Sequence, residues 1–257
     1  MDSNVFAAAG MAAGYANSRP PLHAIIVEKS RRLLPVNRPV SRAIDIGCGA
    51  GLSTCALAPV ARTCIGMEPA EAMLHVAAQS GDDAAFVVGR AEELPFHGQS
   101  ADLVTAAGSL NYVGDFERSM AEVCRVLAPG GTLVVYDFSA GRRFRDSLAL
   151  AEWFERFRTR YPVPAGSARP LDPASLAATV RGLAPSAHEV FEIALELDPE
   201  FYLNYMMTET NVVHAQQSGI PAPEIRAWCQ AGLAPVFAGE PRTVLFDGYL
   251  ACFRKSP

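Results

Sequence analysis

The sequence predicts an α/β fold, with parallel strands forming a sheet and helices covering both of its faces. Strand-like and helix-like segments alternate through the first half of the chain, as expected for parallel strands joined by crossover helices. With 257 residues, 50% of them hydrophobic, the chain can form one large domain or a core with a sizeable insertion.

The elements of the sheet region follow from apolar periodicity. A helix is expected first, because apolar residues at helical spacing from Leu22 to Leu34 form a stripe that Pro35 stops. The predicted order is then strand 42–47, helix 52–58, strand 63–67, helix 70–79, strand 84–88, strand 102–107, helix 115–127 and strand 131–137.

The second half predicts a mostly helical insertion followed by a short tail. The insertion comprises a helix at 144–158, a Pro/Gly/Ser-rich link at 161–173, a helix to about Leu183, a strand near 189–197 and a helix from Pro199 to about Ala215. The tail comprises a helix at 221–231 ended by Gly232, then strands 233–238 and 243–253 around Gly239-Glu240-Pro241. We therefore expect a core of residues 1–139 and 221–257, with the N-terminal helix over the site, and a substrate-side lid of residues 140–220.

The strongest functional signal is AIDIGCGAG at residues 43–51, in which Gly47, Gly49 and Gly51 follow a strand. Glycines at a strand-to-helix turn adopt positive φ and let the backbone approach a ligand, and a helix starting near Leu52 would direct free N–H groups at it. A nucleotide-like cofactor is expected there. The NAD fingerprint G-x-G-x-x-G would occupy the same place, although Gly51 follows Gly49 by two positions rather than three.

Four further segments accompany this glycine corner. They are TCIGME ending in Glu68, GRAEELPF at 89–96, ADLVTAAGSLNYV at 101–113 and VLAPGGTLVVYDF at 126–138. Together they resemble the class I S-adenosylmethionine-dependent methyltransferases, particularly the small-molecule group with the ubiquinone and menaquinone biosynthesis enzymes, over roughly residues 15–139. The resemblance implies a Rossmann-like, doubly wound, seven-stranded mixed sheet with its last strand antiparallel. It also implies S-adenosyl-L-methionine as cofactor and S-adenosyl-L-homocysteine as product.

The resemblance implies which residues hold the cofactor. The Gly47 carbonyl region would lie beside its methionine part, and Gly49 would also contact the cofactor. Glu68, 21 positions after Gly47, would accept hydrogen bonds from both ribose hydroxyls. Tyr15 and Arg19 resemble a Y-x-x-x-R-P opening that folds over the cofactor in relatives. Arg19 would then pair with the methionine carboxylate, or else cap a surface loop.

The adenine side departs from the commonest family pattern. Arg90 stands where that pattern has an acid, and an arginine cannot accept a hydrogen bond, so recognition would pass to the Ala91 backbone N–H and the Glu92 carboxylate. Glu92 could equally be a surface acid. Met67 would touch adenine or belong to the core. Asp45 would bond to the loop or, through water, to the cofactor ammonium group, unless it only fixes the loop.

The acceptor side is less defined. Ala107 starts the loop where methyl transfer must happen, and Tyr112 in that loop would orient an acceptor or stack under the cofactor. His214, with His188 and Asp137, is a candidate general base, although His214 could simply be a packed or solvated residue. The following side chains of the insertion would line an apolar pocket or pack the lid onto the core: Trp153, Phe154, Phe157, Phe201, Tyr202, Tyr205, Met206 and Met207.

Charge and composition limit the partners. The counts of 22 Lys+Arg and 27 Asp+Glu give a net charge of −5 without a basic run, which argues against nucleic acid. The lack of a long apolar run or a basic leader predicts a cytoplasmic protein that does not bind membranes. Six cysteines without a C-x-x-C pair predict reduced packing residues and no metal site.

The resulting hypothesis is an enzyme that moves the sulfonium methyl group to a small, partly apolar molecule by SN2 displacement. It would act as a monomer or a homodimer. Two alternatives stay open at this point: an NAD-dependent oxidoreductase and a catalytically silent cofactor-binding protein.

Overall fold

The computed structural model describes residues 18–34, 39–79, 83–164, 166 and 168–256. The strands are β1 (Val40–Ile46), β2 (Ala61–Glu68), β3 (Ala85–Val88), β4 (Ala101–Ala107), β5 (Leu127–Phe138), β6 (Arg143–Phe144), β7 (Ala184–Leu197) and β8 (Arg242–Arg254). The helices are α1 (Leu22–Arg31), α2 (Leu52–Cys55), α3 (Glu71–Ala77), α4 (Phe116–Val126), α5 (Ala149–Arg160), α6 (Pro173–Thr179), α7 (Pro199–Met206), α8 (Thr210–Gln217) and α9 (Ala222–Phe237). The α/β class is confirmed.

The strands form one hydrogen-bonded sheet in the order β3-β2-β1-β4-β5-β8-β6, with β7 pairing with β8. Strands β1 to β5 run parallel to their neighbours in the series β3-β2-β1-β4-β5. Ile46 at the end of β1 pairs with Met67 on one side and Ala106 on the other. The carboxyl ends of three neighbouring strands therefore meet at one edge, where open α/β sheets bind ligands.

The predicted antiparallel last strand is confirmed, but the described residues contain eight strands rather than seven. Strand β8 pairs antiparallel with β6. Strand β6 has two residues, which is too short for an alternating pattern to be recognised in the sequence. Against β5, the Lys255 N–H donates to the Gly131 carbonyl and the Ser139 N–H donates to the Asp247 carbonyl. As residue numbers increase along β5, the numbers of their partners on β8 decrease, so this pair of strands is antiparallel as well.

Helix α4 shows how the pattern produces the layer of helices. The Asp115 carboxylate accepts a hydrogen bond from the Arg118 N–H and so caps the first turn. Its buried side chains recur at helical spacing: Phe116, Ser119, Met120, Val123 and Val126. Phe116, Met120, Val123 and Val126 belong to a core cluster that includes Ile46, Val104 and Val135 of the sheet.

The chain divides into two compact units. The glycine unit consists of Pro21–Asp137, Ala168–Val190 and Tyr249–Pro257, and the aromatic unit of Met1–Pro20, Phe138–Ser167 and Phe191–Gly248. Strands β5, β7 and β8 therefore contribute residues to both units. The domain boundaries at residues 139, 140, 220 and 221 remain a prediction.

The aromatic unit has a core of rings. Trp153 stacks on Phe157 with ring centroids 5.3 Å apart, and Tyr202 lies 5.4 Å from Phe237. All four side chains are buried, as are Phe154 and Tyr205. Within this unit these aromatics pack against one another. Their roles in lining a pocket or in packing the lid onto the core remain predictions.

Several predicted elements of the second half need correction. The predicted strand 233–238 is wrong, because Leu233, Val236 and Phe237 form a buried stripe at helical spacing and belong to α9. The helix expected to stop at Gly232 continues to Phe237 with Pro235 inside it. The single helix predicted from Pro199 to Ala215 is divided between Met206 and Thr210. In the part of the chain that is described, no helix combines the length and the hydrophobicity of a membrane span.

Candidate functional site

The glycine corner joins β1 to α2. Gly47, Gly49 and Gly51 have φ values of +68°, +53° and +86°, which favour glycine over any residue with a side chain. The Gly47 and Cys48 N–H groups both donate to the Met67 carbonyl, at 2.7 and 3.0 Å. The corner is thereby fixed to the end of β2.

The space around each glycine differs. A Cβ on Gly47 would collide with the Ser109 side chain, and one on Gly51 would lie 2.9 Å from Phe86. A Cβ on Gly49 would meet only the Met73 methyl group, at 3.4 Å. Gly47 and Gly51 are therefore required by packing as well as by φ, whereas Gly49 leaves its backbone accessible at the corner.

The Glu68 carboxylate lies directly at this corner. One oxygen accepts a hydrogen bond from the Gly49 N–H at 3.2 Å, and the other accepts from the Ala70 N–H at 3.0 Å. The residue is buried, with 9% of its surface exposed, and burial raises the pKa of its carboxyl group. Each carboxylate oxygen can accept a second hydrogen bond, which is what recognition of a vicinal diol requires.

Asp45 is fully buried beneath the corner. Its carboxylate accepts hydrogen bonds from the hydroxyls of Ser53 at 2.6 Å, Thr54 at 2.8 Å and Thr105 at 2.7 Å. Burial raises the pKa of Asp45, and the three hydrogen bonds oppose that rise. These contacts tie β1, β4 and the start of α2 together, which matches the loop-fixing role.

The adenine-side residues are divided between packing and loop contacts. Met67 is buried, and a Cβ on Gly89 would meet its sulfur at 2.9 Å, so this methionine packs beneath the loop that follows β3. Ala91 is buried in the same loop. The Glu92 carboxylate accepts from the Gly114 N–H at 2.9 Å and holds the segment before α4, a partner that the sequence did not suggest.

The loop after β4 completes the site in the glycine unit. Ala107 pairs with Tyr136 at the end of β5, and Tyr112 lies in a short 3-10 turn with 51% of its surface exposed. Sequence reasoning missed His23, whose Nδ1 lies 2.9 Å from the hydroxyl of buried Tyr136. A lone histidine on a helix gives no signal of such a partner, because the contact joins residues far apart in the chain.

Two predicted residues belong to the aromatic unit. The Arg19 guanidinium forms an ion pair with Glu209 at 3.2 Å and donates to the Thr208 carbonyl at 3.2 Å. The Nε2 atom of His214 is buried, and no described residue forms a hydrogen bond with it. The contact of Arg19 with a methionine carboxylate and the catalytic role of His214 remain predictions. Tyr15 lies outside the described residues.

Residues 44–135, which contain the corner, Glu68 and the loop after β4, match the protein family described as Methyltransferase domain. This segment is therefore similar to methyltransferase domains. The chain is 33% identical over 104 residues to the uncharacterized methyltransferase YcgJ of Bacillus subtilis, covering 38% of this chain and 41% of the relative. It is 35% identical over 102 residues to the demethylmenaquinone methyltransferase of Corynebacterium glutamicum, covering 40% and 44%. It thus spans less than half the length of these curated relatives.

Solved structures share the fold. The crystal structure of YcgJ superposes with a TM-score of 0.54 at 21% identity, covering 90% of this chain and 98% of that one. A putative type II methyltransferase from Anaeromyxobacter dehalogenans gives a TM-score of 0.65 at 18% identity, covering 91% and 95%. The Rossmann-like architecture is therefore confirmed. Neither alternative function gains support from these relatives.

Proposed function

We propose that this protein is an S-adenosylmethionine-dependent methyltransferase acting on a small, partly apolar molecule by SN2 displacement. The observation that carries the proposal is the Glu68 carboxylate, held against the backbone of Gly49 at the carboxyl edge of the sheet. The match of residues 44–135 to the methyltransferase domain family supports it.

The residues of the corner fit the parts of the cofactor. Glu68 would bind both ribose hydroxyls, the Gly47 carbonyl region would lie beside the methionine part, and Gly49 would also contact the cofactor. The Ala91 N–H would bond to the adenine ring. The Glu92 carboxylate, which also accepts from the Gly114 N–H, would share in adenine recognition. Asp45 would act as a positioning residue, because its three hydrogen bonds all hold the corner.

The chemistry asks little of acid or base groups in the protein. S-adenosylmethionine supplies a sulfonium-activated methyl group when bound. The task of the chain is to hold the acceptor in line with that carbon and to exclude water. Tyr112, Arg19 and His214 keep the roles proposed for them from the sequence, with Ala107 at the start of the acceptor loop.

The acceptor is proposed to be a small molecule rather than a nucleic acid, in keeping with the net charge of −5. A cytoplasmic monomer or homodimer is the corresponding proposal for location and assembly.

A pair of titrations with the full chain tests this function. Calorimetric titration with S-adenosylhomocysteine should give saturable binding, and fluorescence titration with NADH should give none. Release of S-adenosylhomocysteine with a panel of phenols, amines and thiols then tests turnover. Saturable NADH binding without S-adenosylhomocysteine binding contradicts the proposal.

A further inference from the structure

Beside the glycine corner, polar side chains from three elements converge at the carboxyl end of β5. Asp137 is half-buried, and its carboxylate accepts a hydrogen bond from the Asn111 amide at 2.7 Å. The Asn111 backbone carbonyl in turn accepts from the Arg169 N–H at 2.7 Å. The Asn111 backbone is therefore fixed by Arg169, and its side-chain amide is held on Asp137.

Gly108 brings this carboxylate close to the loop after β4. Its φ is +63°, and a Cβ placed there would lie 3.0 Å from an Asp137 carboxylate oxygen. The next residue, Ser109, occupies the space in front of Gly47. Ser109 and Gly108 thus connect the glycine corner to Asp137. Because β1, β4 and β5 are neighbours, Asp137 lies about 10 Å from the corner, two strand spacings away.

Tyr249 adds a hydroxyl from the other side of β5. The antiparallel register set by Gly131 with Lys255, and by Ser139 with Asp247, places Tyr249 directly opposite Asp137. Side chains of directly opposite residues lie on the same face of a sheet. Burial, together with the charges of Asp137 and Asp172, raises the pKa of Tyr249. Its hydroxyl oxygen is buried, and no described residue forms a hydrogen bond with it.

We infer that Asp137, oriented by Asn111 and flanked by Tyr249, is the acceptor-binding carboxylate, and that the acceptor carries its nucleophile as a hydroxyl or amine. This inference rests on the proposed function and narrows its substrate class. A carboxylate can accept up to four hydrogen bonds, so it recognises an O–H or N–H group that a carbon or thioether acceptor lacks.

In the proposed transfer, the lone pair of the acceptor oxygen or nitrogen forms the new bond to the methyl carbon. The carbon–sulfur bond breaks, and its electron pair stays on sulfur. The proton released by the acceptor passes to the Asp137 carboxylate and from there to water. Of the three candidate general bases named from the sequence, Asp137 is the one that this inference assigns to the acceptor.

Fragment binding to the full chain saturated with S-adenosylhomocysteine tests the inference without turnover. Phenol, aniline and toluene share one shape and differ in a hydroxyl, an amino or a methyl group. We expect phenol and aniline to bind about tenfold more tightly than toluene, the ratio that one hydrogen bond to a charged group supplies. Ligand-observed NMR titration measures the three dissociation constants.

The Asp137→Asn variant should reduce that preference to less than about threefold while leaving S-adenosylhomocysteine affinity unchanged. Glu93→Gln removes the same charge from an exposed side chain of the glycine unit and should keep the preference. A preference that persists in Asp137→Asn overturns the inference. If that variant does not fold, the native chain decides, because equal binding of the three fragments, or no binding, also overturns it. Failure of S-adenosylhomocysteine itself to bind counts against the proposed function instead.

Discussion

At the scale of single residues, Glu68 connects the fold to the proposed chemistry. Its two oxygens each accept one backbone hydrogen bond at the corner, and burial raises its pKa above the usual value near 4.5. The carboxylate is thus fixed in position before any ligand arrives, so little ordering is needed when a sugar binds.

The raised pKa predicts a pH dependence of cofactor binding. An ionised Glu68 accepts from both sugar hydroxyls, whereas the protonated form carries a donor in place of one acceptor. Affinity for S-adenosylhomocysteine should therefore fall as pH falls through the pKa of Glu68, starting at a higher pH than for an ordinary glutamate. Calorimetry between about pH 4 and pH 8 measures this. In the Glu68→Gln variant the profile should be less steep, and an equally steep profile there contradicts the assignment.

Replacing Gly47 with alanine is expected to lower the stability of the protein. Gly47→Ala combines a φ of +68° with a collision against Ser109, whereas Gly49→Ala meets only a methyl group at 3.4 Å. We expect Gly47→Ala to lose about 1–3 kcal/mol more free energy of unfolding than Gly49→Ala. Urea denaturation of both variants gives the difference. Equal losses would show that φ alone accounts for the requirement.

At the scale of elements, the clearest difference between the predicted and the observed secondary structure is helix α9. Its final turns, LAPVF, are a short apolar run that reads equally well as a strand, and Pro235 and Gly232 both argue locally against a helix. Burial of Leu233, Val236 and Phe237 on one face outweighs those local preferences. Ala238, with a φ of +53°, then ends the helix.

The contact between α5 and α9 gives a prediction at this scale. A Cβ on Gly232 would lie 2.5 Å from the Trp153 indole nitrogen, and that tryptophan is fully buried. Gly232→Ala should therefore destabilise the protein by about 1–3 kcal/mol, although alanine favours a helix over glycine by about 1 kcal/mol. Thermal unfolding measures the loss.

The Trp153→Phe variant is the matched test of that contact. Phenylalanine removes the indole ring that the new methyl group would meet, so Gly232→Ala should cost less in the Trp153→Phe background than in the native chain. An unchanged cost in the two backgrounds would show that the steric conflict lies elsewhere.

At the scale of the whole molecule, local sequence patterns predicted the elements of the first half of the chain, where apolar residues recur at the spacing of a strand or a helix. Strand β1 with its glycine corner, Glu68 at the end of β2 and the capped helix α4 all lie close to where periodicity and turn residues put them. These features depend on residues within one turn or one strand of each other, which is why sequence alone suffices for them.

Contacts between distant segments could not be predicted in the same way. Tyr249 lies opposite Asp137 because of the antiparallel register of β8. Glu92 accepts a hydrogen bond from Gly114, although strand β4 separates the two residues in the sequence. His23 and Tyr136 are likewise 113 positions apart in the chain. A side chain's partner across the sheet is set by strand order, which no short motif encodes.

The measurement that tests the central claim most directly is calorimetric titration of S-adenosylhomocysteine into the native chain, Glu68→Gln and the exposed control Glu93→Gln. Saturable binding to the native chain and the control, with affinity at least about tenfold weaker in Glu68→Gln, is the predicted result. No saturable binding to the native chain, or equal affinity in Glu68→Gln, would contradict a cofactor sugar held by this carboxylate.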